Sequence, residues 1–195
     1  MKNTSSDGLW LRLGRRFLIF IAVCIGAVGI FYASLIITAS SLSAGEVEKV
    51  KNATLYLEKH GFINEAYLLR DVATYRSNDN WLNASVPKET AFAATNYPFA
   101  IITLYPDYFT YPEDDVERSA ILLHEARHLK GYGEEEAYEF VWRNKKYLGW
   151  TEEEYGQSVV WQNIRKQTRE YAPNLFVCDF NALRDCTAES SLLDH

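Results

Sequence analysis

The stretch PEDDVERSAILLHEARHLKGYGE, residues 112–134, decides how the rest of the chain is read. Thr110 and Glu113 fit a capping box with Pro112 in the first turn, so a helix is predicted from about 112 to 130. Gly131 ends it in the left-handed position that favours glycine. The helix carries His124-Glu125-Ala126-Arg127-His128, two histidines four residues apart with a glutamate beside the first. Residues at that spacing lie one above the other on one helix face. Two imidazoles so placed can grip one zinc ion at about 2.0–2.1 Å. Glu125 projects about 100° around the helix from His124, where it reaches a water on the metal without being a ligand itself.

A catalytic zinc takes three protein ligands and keeps one position for water. The candidates for the third ligand are Glu134, Glu135, Glu136 and Glu139, delivered by the turn at Gly131. Glu134 is favoured because it follows the sharp turn directly and shares a helix side with Ala137 and Val141; Glu136 is second. A solvated, acidic helix start accounts for the remainder, since the helix dipole favours carboxylates there. Tyr132 and Tyr138 lie close enough in sequence to serve an oxyanion, but with 13 tyrosines in the chain, packing is their expected role. Arg127 is expected to pair with the acidic cluster.

Working outward, residues 99–105 are rich in apolar and β-branched side chains between Pro98 and Pro106, which predicts a strand just before the motif helix. Helices are expected over 46–60, from Ile63 to Tyr75, from Glu134 to Leu148, and from Glu152 to about Arg169, with an irregular tail after Pro173. The class is therefore mostly α, or α+β, with one short β element before the motif helix. At 195 residues and 48% hydrophobic content the chain can bury a core, and disorder throughout is excluded. A net charge of -6 argues against a nucleic-acid partner.

That charge is unevenly spread. Residues 1–44 hold Lys2, Arg12, Arg15 and Arg16 against Asp7, a balance of +3, whereas residues 45–195 carry -9. The 22-residue run from Phe17 to Thr38 has no charge, and as a helix it rises about 33 Å, enough to cross a hydrocarbon core. The expected layout is a basic cytoplasmic segment at 1–16, a transmembrane helix at 17–38 and a domain at 45–195. The basic flank puts the N-terminus in the cytoplasm and the domain outside, as a single-pass protein of the cell membrane. A signal peptide cleaved near Ala44 is the alternative, but its apolar core is usually about 7–15 residues. Cys24 reads as a small apolar residue of the span. Cys178 and Cys186 are expected to pair if their compartment is oxidising.

The spacing His124-x3-His128-x2-Gly131-x2-Glu134 resembles the zincin superfamily of zinc-dependent peptidases, and Glu134-x-x-Ala137-Tyr138 resembles compact bacterial members with a Glu ligand from the next helix. The resemblance covers about residues 99–141. It implies a zincin-like domain, Zn2+ held by His124, His128 and Glu134, Glu125 as general base, and a peptide or protein substrate. It also implies that the strand 99–105 forms a sheet edge beside which a substrate lies extended. Charged Arg127 and Lys130 depart from the usual motif surroundings, and Met1, the only methionine, leaves no Met-turn. The alternative function is a non-catalytic envelope protein that binds a partner on the same scaffold.

Overall fold

The computed structural model describes residues 4–82, 84 and 92–176, with side chains from Arg12. Cys178, Cys186 and His195 lie outside these residues. The chain is mostly helical with one small sheet. Helix α1 (Thr4–Ile37) contains the apolar run, and its segment Arg12–Ile37 reaches a mean hydropathy of 2.5 and is long enough to cross a membrane. Helix α2 (Ala44–Lys59) opens on a capping box in which Ser43 and Glu46 exchange hydrogen bonds. The chain then passes through α3 (Ile63–Tyr67) and a π-helical turn (Leu68–Val72) into strand β1 (Thr74–Arg76). The expected helix to Tyr75 thus stops early. Tyr75 and its neighbours pair with another strand, because a sheet partner satisfies backbone groups that helical periodicity alone does not anticipate.

Strands β2 (Ala93–Asn96) and β3 (Ile101–Leu104) complete the sheet, in the order β1-β3-β2. β3 is parallel to β1 and antiparallel to β2, with Thr95 opposite Ile102. The strand expected at 99–105 is therefore present as β3, but it is central and wholly buried; among the described residues the sheet edges are β1 and β2. A substrate cannot lie along a strand already paired on both sides, which corrects the edge role expected for 99–105.

Helix α4 (Pro106–Thr110) precedes the motif helix α5 (Asp115–Leu129). The cap of α5 is Asp114, whose carboxylate accepts from the Val116 and Glu117 N–H groups, not the expected Thr110–Glu113 box. Thr110 is consumed by α4, where its hydroxyl donates to the Pro106 carbonyl. From Ser119 to Ala126 every residue of α5 is buried, so α5 is the central helix of the domain. α2 crosses it closely enough for the Ser119 hydroxyl to donate to the Ala53 carbonyl at 2.9 Å.

Helix α6 (Glu134–Asn144) packs on α5 and α8 (Val159–Tyr171). The helix expected from Glu152 to about Arg169 is broken into α7 (Glu152–Tyr155) and α8, since Ser158 caps α8 by accepting from the Trp161 N–H. Three fully buried tryptophans, Trp142, Trp150 and Trp161, meet at ring separations of 4.8–6.0 Å, Trp150 edge to face with each of the other two, and fix this side of the core.

Contacts with α1 reach back beyond the boundary expected at 45. Leu35 is fully buried, the Phe31 ring meets Trp81 and Phe99, and the Ser77 N–H donates to the Ser40 carbonyl.

Candidate metal centre

The exit of α5 makes the site. Lys130 closes the helix, and Gly131 takes φ +85°, a conformation with little penalty only for glycine. The reversal returns the chain through Tyr132 and Gly133 so that Glu134, the first residue of α6, faces the two histidines. His124 Nε2 lies 2.9 Å from His128 Nε2, and the Glu134 carboxylate oxygens lie 3.2 Å from His124 Nε2 and 3.5 Å from His128 Nε2. All three ligand atoms fall within 4.8 Å of one another. Tetrahedral zinc with bonds of 2.0–2.1 Å sets its ligand atoms about 3.3 Å apart, which these separations bracket. Two imidazole nitrogens and one carboxylate are a zinc donor set, so the residues fit the ion.

The other acidic candidates are elsewhere. Glu136 turns back to accept from the Gly133 N–H at 3.2 Å, and Glu139 pairs with Arg143 at 2.7 Å. Glu135 is exposed and takes no part in the cluster. The second choice, Glu136, is thus used as a helix cap.

The second nitrogen of His128 is oriented from outside: Nδ1 lies 2.9 Å from the Tyr132 carbonyl, which takes an Nδ1–H and leaves Nε2 facing the cluster. Tyr132 therefore contributes its backbone, while its ring sits 4.0 Å from the Arg127 guanidinium. Arg127 does not pair with the acidic cluster as expected. Its guanidinium lies between the Tyr132 and Phe140 rings and 3.6 Å from Glu65 on α3. Lys130 also reaches Glu65, so the two unusual charges of the motif are taken up by one buried carboxylate.

Glu125 is buried beside His124, and the Thr95 hydroxyl of β2 donates to its Oε2 at 2.6 Å. Thr95 was not legible as a site residue, because nothing in the sequence pairs position 95 with position 125. Tyr138 packs its ring 4.2 Å from that of His124 and stacks on Tyr171, in agreement with a packing role. Burial pushes its phenol well above the usual range.

The electrostatics of the cluster favour opposite charges. Burial disfavours the His128 imidazolium, but the hydrogen bond to Glu134 and the nearby Glu125 carboxylate outweigh it and raise its pKa to about 9. Hydrogen bonds from His124 and His128 hold the Glu134 carboxyl well below its ordinary value. Without metal, the site is thus a protonated imidazole held by a carboxylate. His60 stacks on Tyr56 on α2 and has no part in it.

Comparison of the chain with protein-family models, curated proteins and solved structures finds no match.

Proposed function

We propose that the chain is a membrane-anchored, zinc-dependent metallopeptidase of the zincin type, with its N-terminus cytoplasmic and its domain on the far side of the membrane. The observation that carries this reading is the convergence of His124 and His128 of α5 with Glu134 of α6, next to a buried Glu125 on α5. Three protein ligands leave the fourth position for substrate chemistry. When bound, zinc supplies Lewis acidity, which brings a water's pKa to about 7 and polarises a peptide carbonyl.

The protein's own residues then divide the work. Glu125 takes the proton from the attacking water and returns it to the leaving amine. Thr95 holds one carboxylate oxygen, which fixes the rotamer of Glu125 and leaves its other oxygen for the proton. β2 lies at a sheet edge and carries Thr95, so an extended peptide added to that edge passes Glu125 by main-chain hydrogen bonding.

The test is zinc content and peptide hydrolysis of the purified full chain, wild type against His128→Ala and Glu125→Gln. Zinc in the wild type, its loss in His128→Ala, and zinc without hydrolysis in Glu125→Gln are expected. A wild type that holds zinc tightly and cleaves no peptide supports the non-catalytic binding protein instead. A wild type that takes no zinc overturns both the cofactor and the reaction.

A further inference from the structure

The far end of the apolar helix is not bare. From Phe17 to Ile30 its side chains are exposed, but from Phe31 the domain wraps it. Phe31 packs against Trp81 with ring centroids 5.6 Å apart and against Phe99 at 5.3 Å; the Trp81 Nε1–H donates to the Ser34 hydroxyl at 3.1 Å. The uncovered stretch is 14 residues, about 21 Å of helix, against a hydrocarbon core of about 30 Å. Arg15 and Arg16 stand at its other end. The domain's own apolar and aromatic surface can supply the remaining length, beside the bilayer thinning and arginine snorkelling that short spans also use.

The domain offers suitable residues at that level. Trp81 is 47% exposed although it is bonded to the helix, and Tyr97 is 63% exposed on the β2–β3 turn. Ile37, one turn past Ser34, is 82% exposed. Trp and Tyr with one apolar and one polar end settle at the boundary between headgroups and acyl chains.

The same turn touches the loop beside the candidate metal centre. Phe99 lies on the helix, while the Tyr97 ring and hydroxyl stand 3.4 Å from where a Cβ on Gly131 would be. The Gly131 N–H in turn donates to the His128 carbonyl at 2.9 Å. A four-residue turn thus spans from the membrane helix to the loop that delivers Glu134.

We propose that Phe31, Trp81, Tyr97 and Phe99 form a collar seated in the lipid interface where the helix leaves the membrane, and that the collar holds the metal centre at the bilayer surface, so that its substrates are segments of membrane-tethered polypeptides close to the bilayer. The substrate class rests on the metallopeptidase reading; the lipid contact does not.

The lipid contact is tested on the full chain, as a Trp10→Phe variant in phosphatidylcholine vesicles. Trp142, Trp150 and Trp161 are fully buried, which leaves Trp81 as the exposed emitter. Phosphatidylcholine brominated near its headgroup end is expected to remove most Trp81 emission, with aqueous iodide having little effect; adding Trp81→Phe abolishes the quenchable component. Emission quenched by iodide and untouched by brominated lipid overturns the collar. The substrate class is tested with one cleavable sequence placed next to a membrane helix, the same sequence on a flexible linker of about 30 residues, and a free peptide. Cleavage is expected to be fastest next to the helix, by about 10²-fold over the free peptide, and to fall on the long linker. Equal rates on both tethers overturn the substrate class. Brominated-lipid quenching with no cleavage of any peptide overturns the metallopeptidase reading and leaves the lipid contact standing.

Discussion

Glu125 and Glu134 are both carboxylates near two histidines, yet their positions assign them different tasks. Glu125 is buried and tied to Thr95, whereas Glu134 faces both imidazoles. Glu125→Gln should therefore keep zinc and lose roughly 10²–10⁴-fold in turnover, as expected for a lost general base. Glu134→Ala should weaken zinc directly, and Glu136→Ala should leave zinc unchanged; zinc titration of the two variants separates them. Thr95→Val keeps the shape of the side chain and removes the bond to a carboxylate, an interaction of about 1.5–3 kcal/mol. A loss of about tenfold or more in kcat with zinc retained is expected, and Thr95→Ser should restore most of it. Metal binding should also move a proton. The metal-free His128 has its pKa raised from 6.5 to about 9, so its stabilising contact with Glu134 is complete below 6.5 and is lost as pH rises through about 9. At pH 7 zinc must displace that proton, so calorimetry in buffers of different ionisation enthalpy should report release of at least one proton per ion, any further release coming from the zinc-bound water.

At the scale of elements, α5 is held at both ends. Asp114 caps its start and also accepts the Tyr155 hydroxyl at 2.7 Å, which ties α7 to the motif helix. Asp114→Ala should cost about 1–2 kcal/mol by denaturant titration, the range for a lost cap. One turn on, Glu117 is buried; its Oε2 accepts from the Glu113 N–H at 2.9 Å and its other oxygen takes the Ser158 hydroxyl. Burial raises its pKa above the ordinary carboxylate value despite those bonds. A raised folded-state pKa gives stability that is full below the unfolded value of 4.5 and lost as pH rises through the folded one. Glutamine can keep both bonds, by accepting from Glu113 and donating to Ser158, without a charge to bury. Glu117→Gln should therefore gain on wild type as pH rises from 4.5 to 7, seen as a widening difference in denaturation midpoint; a constant difference would show that burial of this charge carries no cost. The α5 helix and its Gly131 stop were legible in the sequence, since periodicity, a glycine and a histidine pair are local signals. The Asp114 cap was not, because Thr110 and Asp114 both suit a helix start and α4 decides between them by using Thr110 first.

For the whole molecule, the consequence is that the end of α1 is packed against the domain. Leu35 has no exposed surface, and Ser40 is paired with Ser77. A fragment beginning at residue 45 would expose the partners of Phe31 and Leu35, and losing a buried leucine alone costs about 2–5 kcal/mol. A fragment from residue 31 should be measurably more stable than one from 45, with less aggregation in light scattering. Equal stability would show that α1 only leans on the domain.

The sequence by itself determined the apolar helix, the mostly helical class, the short strand before the motif helix, and the grouping of His124, His128 and Glu134. Each is encoded within a few residues: an uncharged run of membrane length, a strand bracketed by prolines, and two histidines one helical turn apart followed by a glycine that reverses the chain. The tertiary structure decided what depends on distant partners. It put β3 in the middle of the sheet, where 99–105 had been expected at an edge, because β1 arrives from residues 74–76 to pair with it. It chose Thr95 to hold Glu125 and Glu65 to absorb Arg127 and Lys130, pairings across 30 to 65 positions. It also carried Phe99 onto Phe31 across 68 positions, so that one turn joins α1 to the loop that delivers Glu134. Local spacing specifies which side chains a helix presents together; only the closed core specifies which strand, carboxylate or ring from elsewhere comes to meet them.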